Sequence, residues 1–517
     1  MKSNTLSLRH TLCFLLLIFG LITASAHTRS VAQNVELDRL AEYIEQVRQT
    51  WRIPGLSVSI VQGDSTVFAE GFGSLHHDRN VPTQSQTMYH IGSVSKSFTA
   101  AVIASMVDEG LLAWTDRVKT HLPEFVWPDP WVEEHLLVRD LFLHSTGLRG
   151  QAGTYLPNLG YSRDEICAMI GRMQVGYTYR GDYQYNNVTF LVANQLIEKL
   201  TGKSWEENLQ ERIFNPLGMH RTTTGQAGYL AAGDRASLQH EFLFDPVDTV
   251  RTRKLEGDDR ALAWLTTVGP AGGICSDVED MTQWIRLHLS DGEVDGVRIL
   301  SEKSMRELHR GRTMVSQDST YIRLYGLCWF VEQNNEYQVI FHTGTTWGHT
   351  AVCAFVPEMG LGLMVLCNSE VNEGARYSIM RRIIDAYRGA PEKDWNREYF
   401  DKWVARNYAA WEKEQAAPAP VLQTACPNDA LVGRYVKDEL FGDAYIFLQD
   451  GDLYIRVGSA GWERRLEFDP AEGYYFWSDG HRFPVTFELD EAGKAKTLNV
   501  AFNYRDEGLG GWVRSLD

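Results

Sequence analysis

The sequence predicts an α/β domain that carries an inserted helical region, followed by a small all-β domain. Strand patterns lie near both ends of about the first 390 residues, and the stretch between them has largely helical apolar spacing. A segment rich in Ala and Pro, residues 416–420, then precedes short strand patterns separated by Gly-containing turns. Strands that enclose a helical stretch are typical of an α/β fold with an insertion.

The composition is that of a globular protein. Of 517 residues, 44% are hydrophobic and 23% are charged, which excludes a collagen-like, low-complexity or mostly disordered chain. The length allows about two to four domains. A formal net charge of −17 disfavours a nucleic-acid partner, because nucleic-acid binding depends on a basic surface.

The first 26 residues have the pattern of a secretory signal peptide. Lys2 and Arg9 form a basic start, residues 11–23 are apolar, and residues 24–26 (Ala-Ser-Ala) match a small-residue cleavage site. Cleavage near Ala26 predicts a periplasmic or secreted protein, with a retained anchor as the alternative. No later apolar run reaches the ~18 residues of a membrane span, so no integral membrane segment is expected after cleavage.

Cysteine usage predicts neither a disulfide scaffold nor a metal site. Six cysteines remain after the signal peptide, and none forms a Cys-x-x-Cys pair. Cys353 and Cys367 flank a turn and could face each other across a hairpin, but buried free thiols are the favoured interpretation. No His-Glu-x-x-His motif is present, so no metal and no other cofactor is expected.

The predicted elements follow from apolar spacing and turn residues. Helical spacing covers residues 35–51 and 93–109, and between them two strand patterns, joined by Gly63-Asp64, predict a hairpin. The helical insert spans about residues 100–270. The later elements are four strands over 326–332, 337–342, 350–356 and 362–367, then a helix over 377–386. The predicted domains are residues 27–390, a helix and linker over 391–425, and a β domain over 426–517.

Ser93-Val94-Ser95-Lys96 is the first candidate for catalytic chemistry. Residues three apart share one face of a helix, so the Lys96 amine can reach the Ser93 hydroxyl. A serine hydroxyl is a weak nucleophile until a base takes its proton, and the positive helix N-terminus favours a neutral lysine. The alternative is a helix-capping serine followed by a solvated lysine.

Two further motifs make the first one specific. Tyr185-Asn186-Asn187 precedes an apolar helix, and His342-Thr343-Gly344 ends a predicted strand. In this order, Ser-x-x-Lys, Tyr-x-Asn and His-x-Gly resemble the serine β-lactamase and penicillin-binding-protein superfamily, above all the class C β-lactamase-related serine hydrolases. Residues 141–148 and 271–276 also match this family. The resemblance covers roughly residues 35–390 and implies a β-lactamase-like α/β sandwich with a helical insert.

The resemblance implies a role for each motif residue. Ser93 is expected to attack a carbonyl and become acylated, and Lys96 and Tyr185 to share the role of base, the phenolate being favoured by nearby positive charge. Asn187 is expected to hold the Lys96 amine and a substrate amide. The backbone N–H groups of Ser93 and Thr345 are expected to form the oxyanion hole.

His342 departs from the pattern of many relatives, and Gly344 and Thr345 follow it as further substrate-orienting candidates. Many β-lactamases and carboxypeptidases have a lysine at this place, which gives a fixed charge for a substrate carboxylate. A histidine is mostly neutral near pH 7. This departure favours esters, amides or D-amino-acid peptides as substrates, unless His342 is only a structural residue at a strand end.

The C-terminal region resembles the small lipocalin-like β-barrel that follows the hydrolase domain in some relatives. The likeness rests on residues 431–435 (Leu-Val-Gly-Arg-Tyr) and the strands after them. Packing or substrate gating is the expected role. Its aromatic residues are interpreted as core rather than ligand pocket: Tyr454, Trp462, Tyr474, Tyr475 and Trp477.

The sequence therefore predicts an exported serine hydrolase that acts through an acyl-enzyme on an ester, an amide or a D-amino-acid-containing peptide. The expected partner is a small-molecule or peptide substrate, and no oligomeric state is assigned. The alternative is a penicillin-binding sensor that stays acylated, or a cell-wall binding protein. Turnover distinguishes the two, because a sensor gives one burst of product and stops.

Overall fold

A computed structural model gives the fold for most of the chain. The described residues are 36–254, 264–370, 373–416, 425–436, 442–458, 462–470, 473–478, 482–500 and 512–515. The predicted signal peptide and residues 417–420 of the predicted linker lie outside these ranges.

An eight-stranded antiparallel sheet is the centre of the first domain. Its strands are β1 (Gly55–Gln62), β2 (Ser65–Gly73), β3 (Thr313–Gln317), β4 (Ile322–Tyr325), β5 (Phe330–Gln333), β6 (Gln338–Thr346), β7 (His349–Val356) and β8 (Leu361–Cys367). The spatial order is β3-β4-β5-β6-β7-β8-β1-β2. The predicted β1–β2 hairpin forms, and β1 also pairs with β8, with Leu56 opposite Cys367. The N-terminal hairpin thus completes a sheet built mostly from the C-terminal half of the domain.

Six longer helices pack around this sheet or in the insert. They are α1 (Leu37–Thr50), α2 (Ser95–Asp108), α3 (Thr189–Thr201), α4 (Val278–Leu289), α5 (Glu373–Tyr387) and α6 (Trp395–Ala416). Alternate residues of β7 face opposite layers: Val352 and Ala354 join the apolar cluster that includes α1 and α5, whereas Cys353 and Phe355 join the cluster that includes α2 and α4. The sheet is therefore buried on both faces, as predicted for an α/β sandwich.

The insert is helical but also contains short strands. Its shorter helical segments are Val118–His121, Pro130–His135, Val138–Phe142, Leu156–Leu159, Arg163–Met169, Ile170–Arg172, Trp205–Leu209, Gln210–Phe214, Asn215–Leu217, Gly225–Ala231, Gly233–Arg235 and Gly269–Gly272. A hairpin of His240–Asp245 and Thr249–Lys254 lies within the stretch predicted as helical. In addition, Ile274–Ser276 pairs with Tyr89–His90 and with Thr223–Thr224. This small sheet fixes the backbone that leads into Ser93.

The strand predicted over residues 326–332 is interrupted by a turn. The Gly326 N–H donates to the Trp329 carbonyl at 2.7 Å, and Cys328 has φ +68°, so the chain reverses between β4 and β5. A Cβ on Gly326 would lie 2.6 Å from the Arg310 carbonyl oxygen. The apolar residues of the turn are buried, which is why their pattern suggested a strand.

The described cysteines form no disulfide, and the buried thiols that the sequence favoured are found at five of the six. Cys353 lies opposite Met364, and Cys367 lies opposite Thr350, so the β7–β8 register keeps the two thiols apart.

The C-terminal region is a nearly closed β-barrel, as predicted. Its nine strands are Gly433–Val436, Ala444–Gln449, Asp452–Val457, Trp462–Arg465, Glu467–Asp469, Tyr474–Ser478, Arg482–Leu489, Ala495–Val500 and Trp512–Arg514. The two strands at the ends of the sheet, Trp462–Arg465 and Glu467–Asp469, are separated only by Leu466. Tyr475 packs edge-on against Phe487 with ring centroids 5.6 Å apart, in the core position expected for it. Its likeness to lipocalins stays a prediction.

The remaining elements are short. They are the Gly92–Val94 and Pro357–Met359 turns of 3-10 helix, the Glu293–Val294 and Val297–Arg298 hairpin, and the helices Glu302–Leu308 and Asn428–Leu431. Within the described part of the chain, no helix is both long enough and apolar enough to cross a bilayer.

We predict that a chain ending at Ala416 folds without the barrel. Among the described strands, none of the barrel pairs with a strand of the first domain. Thermal unfolding should give one cooperative transition, at a lower midpoint than the full chain, because buried apolar side chains of the barrel are continuous with those of the insert. An insoluble or non-cooperative product would show that the barrel is part of the first domain's fold.

Candidate active site

Ser93 and Lys96 lie where a tight turn becomes helix α2. Ser93 is in the 3-10 turn Gly92–Val94, and Lys96 is in the first turn of α2. The Lys96 Nζ is 3.1 Å from the Ser93 Oγ, as the spacing predicts. Ser93 is partly exposed, whereas Lys96 is completely buried. The capping-serine alternative is wrong in one respect, because the lysine is not solvated.

The Lys96 amine has two other partners, and both can only accept hydrogen bonds. Nζ donates to the Asn187 Oδ1 at 2.7 Å and to the Ala271 carbonyl at 2.8 Å. A neutral amine has two N–H groups and one lone pair, so these two acceptors use both N–H groups. In the neutral amine the lone pair is thus left for Ser93, whereas a protonated Lys96 donates its third N–H to the Ser93 Oγ.

Burial sets the charge of this amine. It lowers the pKa of Lys96 to about 7, whereas the sequence had pointed to the helix N-terminus as the cause. The ion pairs found among the described residues do not include Lys96. Near neutral pH a large fraction of the amine is therefore able to accept a proton.

Asn187 positions Lys96 and is itself held from the insert. Its Nδ2 donates to the Gln151 Oε1 at 3.2 Å and to the Thr154 Oγ1 at 3.4 Å. Both ends of the amide are engaged within the protein. The expected contact between Asn187 and a substrate amide thus requires one of these bonds to be exchanged.

Tyr185 is the second side chain that contacts the Ser93 hydroxyl. Its hydroxyl hydrogen-bonds to Ser93, and the Lys96 Nζ is 4.8 Å from the centre of its ring. Burial raises the pKa of the Tyr185 hydroxyl well above its usual range, and the Ser93 hydrogen bond lowers it by less. The direction of this shift favours the neutral hydroxyl of Tyr185 and makes Lys96 the stronger candidate for the base, and the base role that Tyr185 was expected to share stays a prediction.

His144 holds the loop that carries Tyr185, a role that sequence reasoning missed. Its carbonyl accepts the Gln184 N–H at 2.7 Å, and its Nδ1 accepts the Asn186 N–H at 3.2 Å. Its ring centroid is 4.1 Å from that of Tyr185. The match of residues 141–148 to the family was the only signal, and it gave no role. The φ of +53° at this buried histidine is typical of a backbone fixed by its surroundings.

Both ring nitrogens of His342 have a hydrogen-bond partner, and the ring is neutral. Its Nδ1 lies 2.6 Å from the Thr343 carbonyl, which can only accept, so Nδ1 carries the proton. The Nε2 then accepts from the Tyr325 hydroxyl at 2.9 Å. Burial lowers the pKa of His342 to about 3, with the Lys96 charge adding to the effect. The ring carries no charge for a substrate carboxylate.

Gly344 lets strand β6 approach the nucleophile turn. A Cβ on Gly344 would lie 1.9 Å from the Ile91 carbonyl oxygen and 3.2 Å from the Ser93 backbone nitrogen. The next residue, Thr345, has an exposed side chain at this edge. Only glycine permits the approach that brings the Ser93 and Thr345 backbones together.

Arg376 brings a buried guanidinium to the strand that carries His342. This arginine of helix α5 is 3% exposed, and its Nη1 donates to the Gly344 carbonyl at 2.7 Å and to the Thr345 Oγ1 at 3.1 Å. A threonine hydroxyl that accepts from arginine keeps its own proton free to donate elsewhere. No sequence signal pointed to Arg376, because it lies 31 residues after Thr345 in an ordinary-looking helix. Within the described ranges, no three His, Cys, Asp or Glu side chains are grouped to hold a metal.

Fold and relatives together define this protein as a serine hydrolase. The chain belongs to the Beta-lactamase family, whose family model matches residues 40–387. It is 27% identical over 415 residues to an unguisins hydrolase of Aspergillus campestris, covering 76% of this chain and 74% of that protein. It is 26% identical over 364 residues to Penicillin-binding protein 4 of Amycolatopsis lactamdurans, covering 67% of this chain and 89% of that protein.

Solved structures share the fold. The octameric penicillin-binding protein homologue from Pyrococcus abyssi superposes with a TM-score of 0.60 at 20% identity, covering 93% of this chain and 100% of that chain. The D-amino acid amidase from Ochrobactrum anthropi SV3, complexed with D-phenylalanine, gives a TM-score of 0.55 at 22% identity and covers 68% of this chain and 100% of that chain. The β-lactamase-like fold predicted from the motifs is thus confirmed.

We predict an acid limb near pH 7 in the acylation of Ser93 by a fluorophosphonate. Below the Lys96 pKa of about 7 the amine is protonated and cannot accept the Ser93 proton, so the rate falls; above it the rate reaches a plateau. The measurement is the second-order labelling rate between about pH 5 and pH 9.

His342→Asn is the control for this limb, because an ordinary histidine titrates in the same range. The pKa of His342 is about 3, so the variant should keep the limb, whereas Lys96→Met should lose it together with most of the rate. A limb that disappears in His342→Asn would contradict the assignment to Lys96.

We predict that Gly344→Ala lowers the labelling rate by about 100-fold or more, the scale for losing one oxyanion donor. The added Cβ must push β6 away from the Ile91 carbonyl. Gly176→Ala is the matched control, because a Cβ there meets no atom within 4 Å and its φ is not left-handed. Equal rates for the two variants at equal thermal stability would show that the β6 contact does not shape the site.

Proposed function

We propose that this protein is an exported hydrolase that cleaves an amide or ester bond next to a D-amino acid through an acyl-enzyme on Ser93. The observation that carries the proposal is the buried Lys96 amine, which has acceptors on two sides and Ser93 at 3.1 Å on the third. The names of two relatives support the substrate class: one hydrolyses unguisins, and another is a D-amino acid amidase.

Acylation follows from the proton positions. Neutral Lys96 takes the Ser93 proton as the Ser93 Oγ attacks the substrate carbonyl carbon, and the carbonyl oxygen becomes an oxyanion. The Ser93 and Thr345 N–H groups are the proposed donors to that oxyanion. As the bond to the leaving amine or alcohol breaks, Tyr185 gives its hydroxyl proton to that group, and the proton on Lys96 then passes to Tyr185, so that both groups are neutral again before deacylation.

Deacylation uses the same groups in reverse. A water molecule attacks the ester carbon, Lys96 accepts the water proton, and the Ser93 oxygen leaves with a proton returned to it. His342 has a structural part in this scheme, since both of its nitrogens are bonded within the protein. His342 is therefore not proposed to bind a substrate carboxylate, in line with the neutral substrates that its sequence position favours.

Ser93→Ala tests the nucleophile. It should abolish fluorophosphonate labelling and all hydrolysis of p-nitrophenyl esters and D-aminoacyl amides. Ser97→Ala is the matched control on the same helix, because its hydroxyl only donates to the Val94 carbonyl at 2.7 Å. Labelling of another residue in Ser93→Ala, with the same mass shift, would reject the assignment.

The number of turnovers separates the hydrolase from the penicillin-binding sensor. We expect more than one product molecule per enzyme from a D-aminoacyl amide or a p-nitrophenyl ester. A single stoichiometric burst on every substrate, with a stable acyl group on Ser93 by mass spectrometry, would favour the sensor.

Export rests on the N-terminal pattern of residues 1–26. When the full chain is expressed in a bacterial host, the mature protein should begin near residue 27 and leave the cytoplasm. An intact N-terminus in the cytoplasmic fraction would remove this part of the proposal.

A further inference from the structure

Two tryptophans from different parts of the fold meet beside the nucleophile turn. Trp264 comes from the insert and Trp347 from the turn after β6, and their ring centroids are 5.3 Å apart in an edge-to-face arrangement. Both side chains are partly exposed. None of the catalytic roles proposed above uses either of them.

Trp264 is tied to the residues around Lys96. Its Nε1 donates to the Thr154 carbonyl at 2.7 Å, and the hydroxyl of Thr154 accepts from Asn187. A Cβ on Gly272 would lie 3.6 Å from the Trp264 ring and 3.9 Å from the Gly92 carbonyl carbon. The indole therefore lies within one side chain's reach of the turn that carries Ser93.

Trp347 is held from the sheet side. It follows Thr345 by two residues, and the next residue, Gly348, donates its N–H to the Glu370 Oε2 at 3.0 Å. Gly348 has φ +71° and packs against Gln239, so the turn is fixed. The contact between the indoles thus joins the insert to the turn after β6, and Trp264 lies near the turn that carries Ser93.

We infer that Trp264 and Trp347 form the subsite for the side chain on the acyl group of the substrate, and that this side chain is aromatic or bulky and apolar. A group on the carbonyl carbon must lie next to the Ser93 turn when Ser93 Oγ reaches that carbon. The two indoles form a partly exposed apolar surface that Trp264 links to this turn. Aromatic rings bind well to such partly exposed indole surfaces. The inference deepens the proposed function and rests on it for the position of the acyl group.

Binding to the Ser93→Ala chain tests the subsite without chemistry. D-Phenylalaninamide should bind at least about tenfold more tightly than D-alaninamide by calorimetry, the scale for burying an aromatic ring. Trp264→Leu and Trp347→Leu should each remove most of this preference, and Trp347→Phe should keep it. Trp131→Leu, which changes a tryptophan that is 59% exposed on the Pro130–His135 helix, should leave it unchanged.

The same variants are then labelled on the Ser93 chain with benzyl and methyl p-nitrophenyl phosphonates. The ratio of the two labelling rates should fall about tenfold in Trp264→Leu and Trp347→Leu. Equal binding of the two amides to the Ser93→Ala chain, or a preference that both leucine variants keep, would overturn the subsite. An aromatic preference in binding, without any labelling of Ser93, would instead retain the subsite and reject the proposed function.

Discussion

A lysine amine that is buried without a counter-ion is the constraint on which the rest of the site depends. Lys96 is fully buried, and its partners Asn187 and Ala271 cannot donate a hydrogen bond to it. Burying an amine without a counter-ion costs far less free energy when the amine is neutral. The insert supplies Asn187 and apolar side chains that cover the amine, and the sheet supplies the strand that closes the site. The two parts of the domain together exclude solvent from the Lys96 amine.

The motifs could be predicted from sequence because they depend on local geometry. The Ser93–Lys96 contact follows from helical spacing, and the β1–β2 hairpin follows from Gly63-Asp64 between strand patterns. The charge states could not be predicted, because they depend on burial by distant residues. For Tyr185 the sequence favoured a phenolate, whereas its burial raises the pKa of the hydroxyl and favours the neutral form. The strand predicted over 326–332 was wrong for a similar reason, because the buried residues of a turn form an apolar run like that of a strand.

The positive charge nearest to the motif on β6 lies on a helix and not on the strand itself. Where His342 removes a positive charge from the strand, Arg376 reaches the same strand from helix α5 and bonds to Gly344 and Thr345. Its guanidinium also helps to keep the pKa of His342 low. A sequence motif shows which residue lies on the strand, but it does not show that Arg376 of helix α5 contacts the same strand. Substrate arguments based on the motif alone therefore leave out the Arg376 guanidinium, which also lies 3.7 Å from the Glu373 carboxylate.

The buried amine also ties folding to proton release. An unfolded lysine has a pKa near 10.5, whereas the folded pKa of Lys96 is about 7. Between pH 7 and pH 10.5 the unfolded chain holds a proton that the folded chain has lost. The contribution of Lys96 to the free energy of unfolding therefore increases as the pH rises through this range. Below pH 7 both states are protonated, and the folded state then carries the full cost of an unpaired buried charge. Protonation of Lys96 at mildly acidic pH therefore lowers the free energy of unfolding and also removes the base that would accept the Ser93 proton.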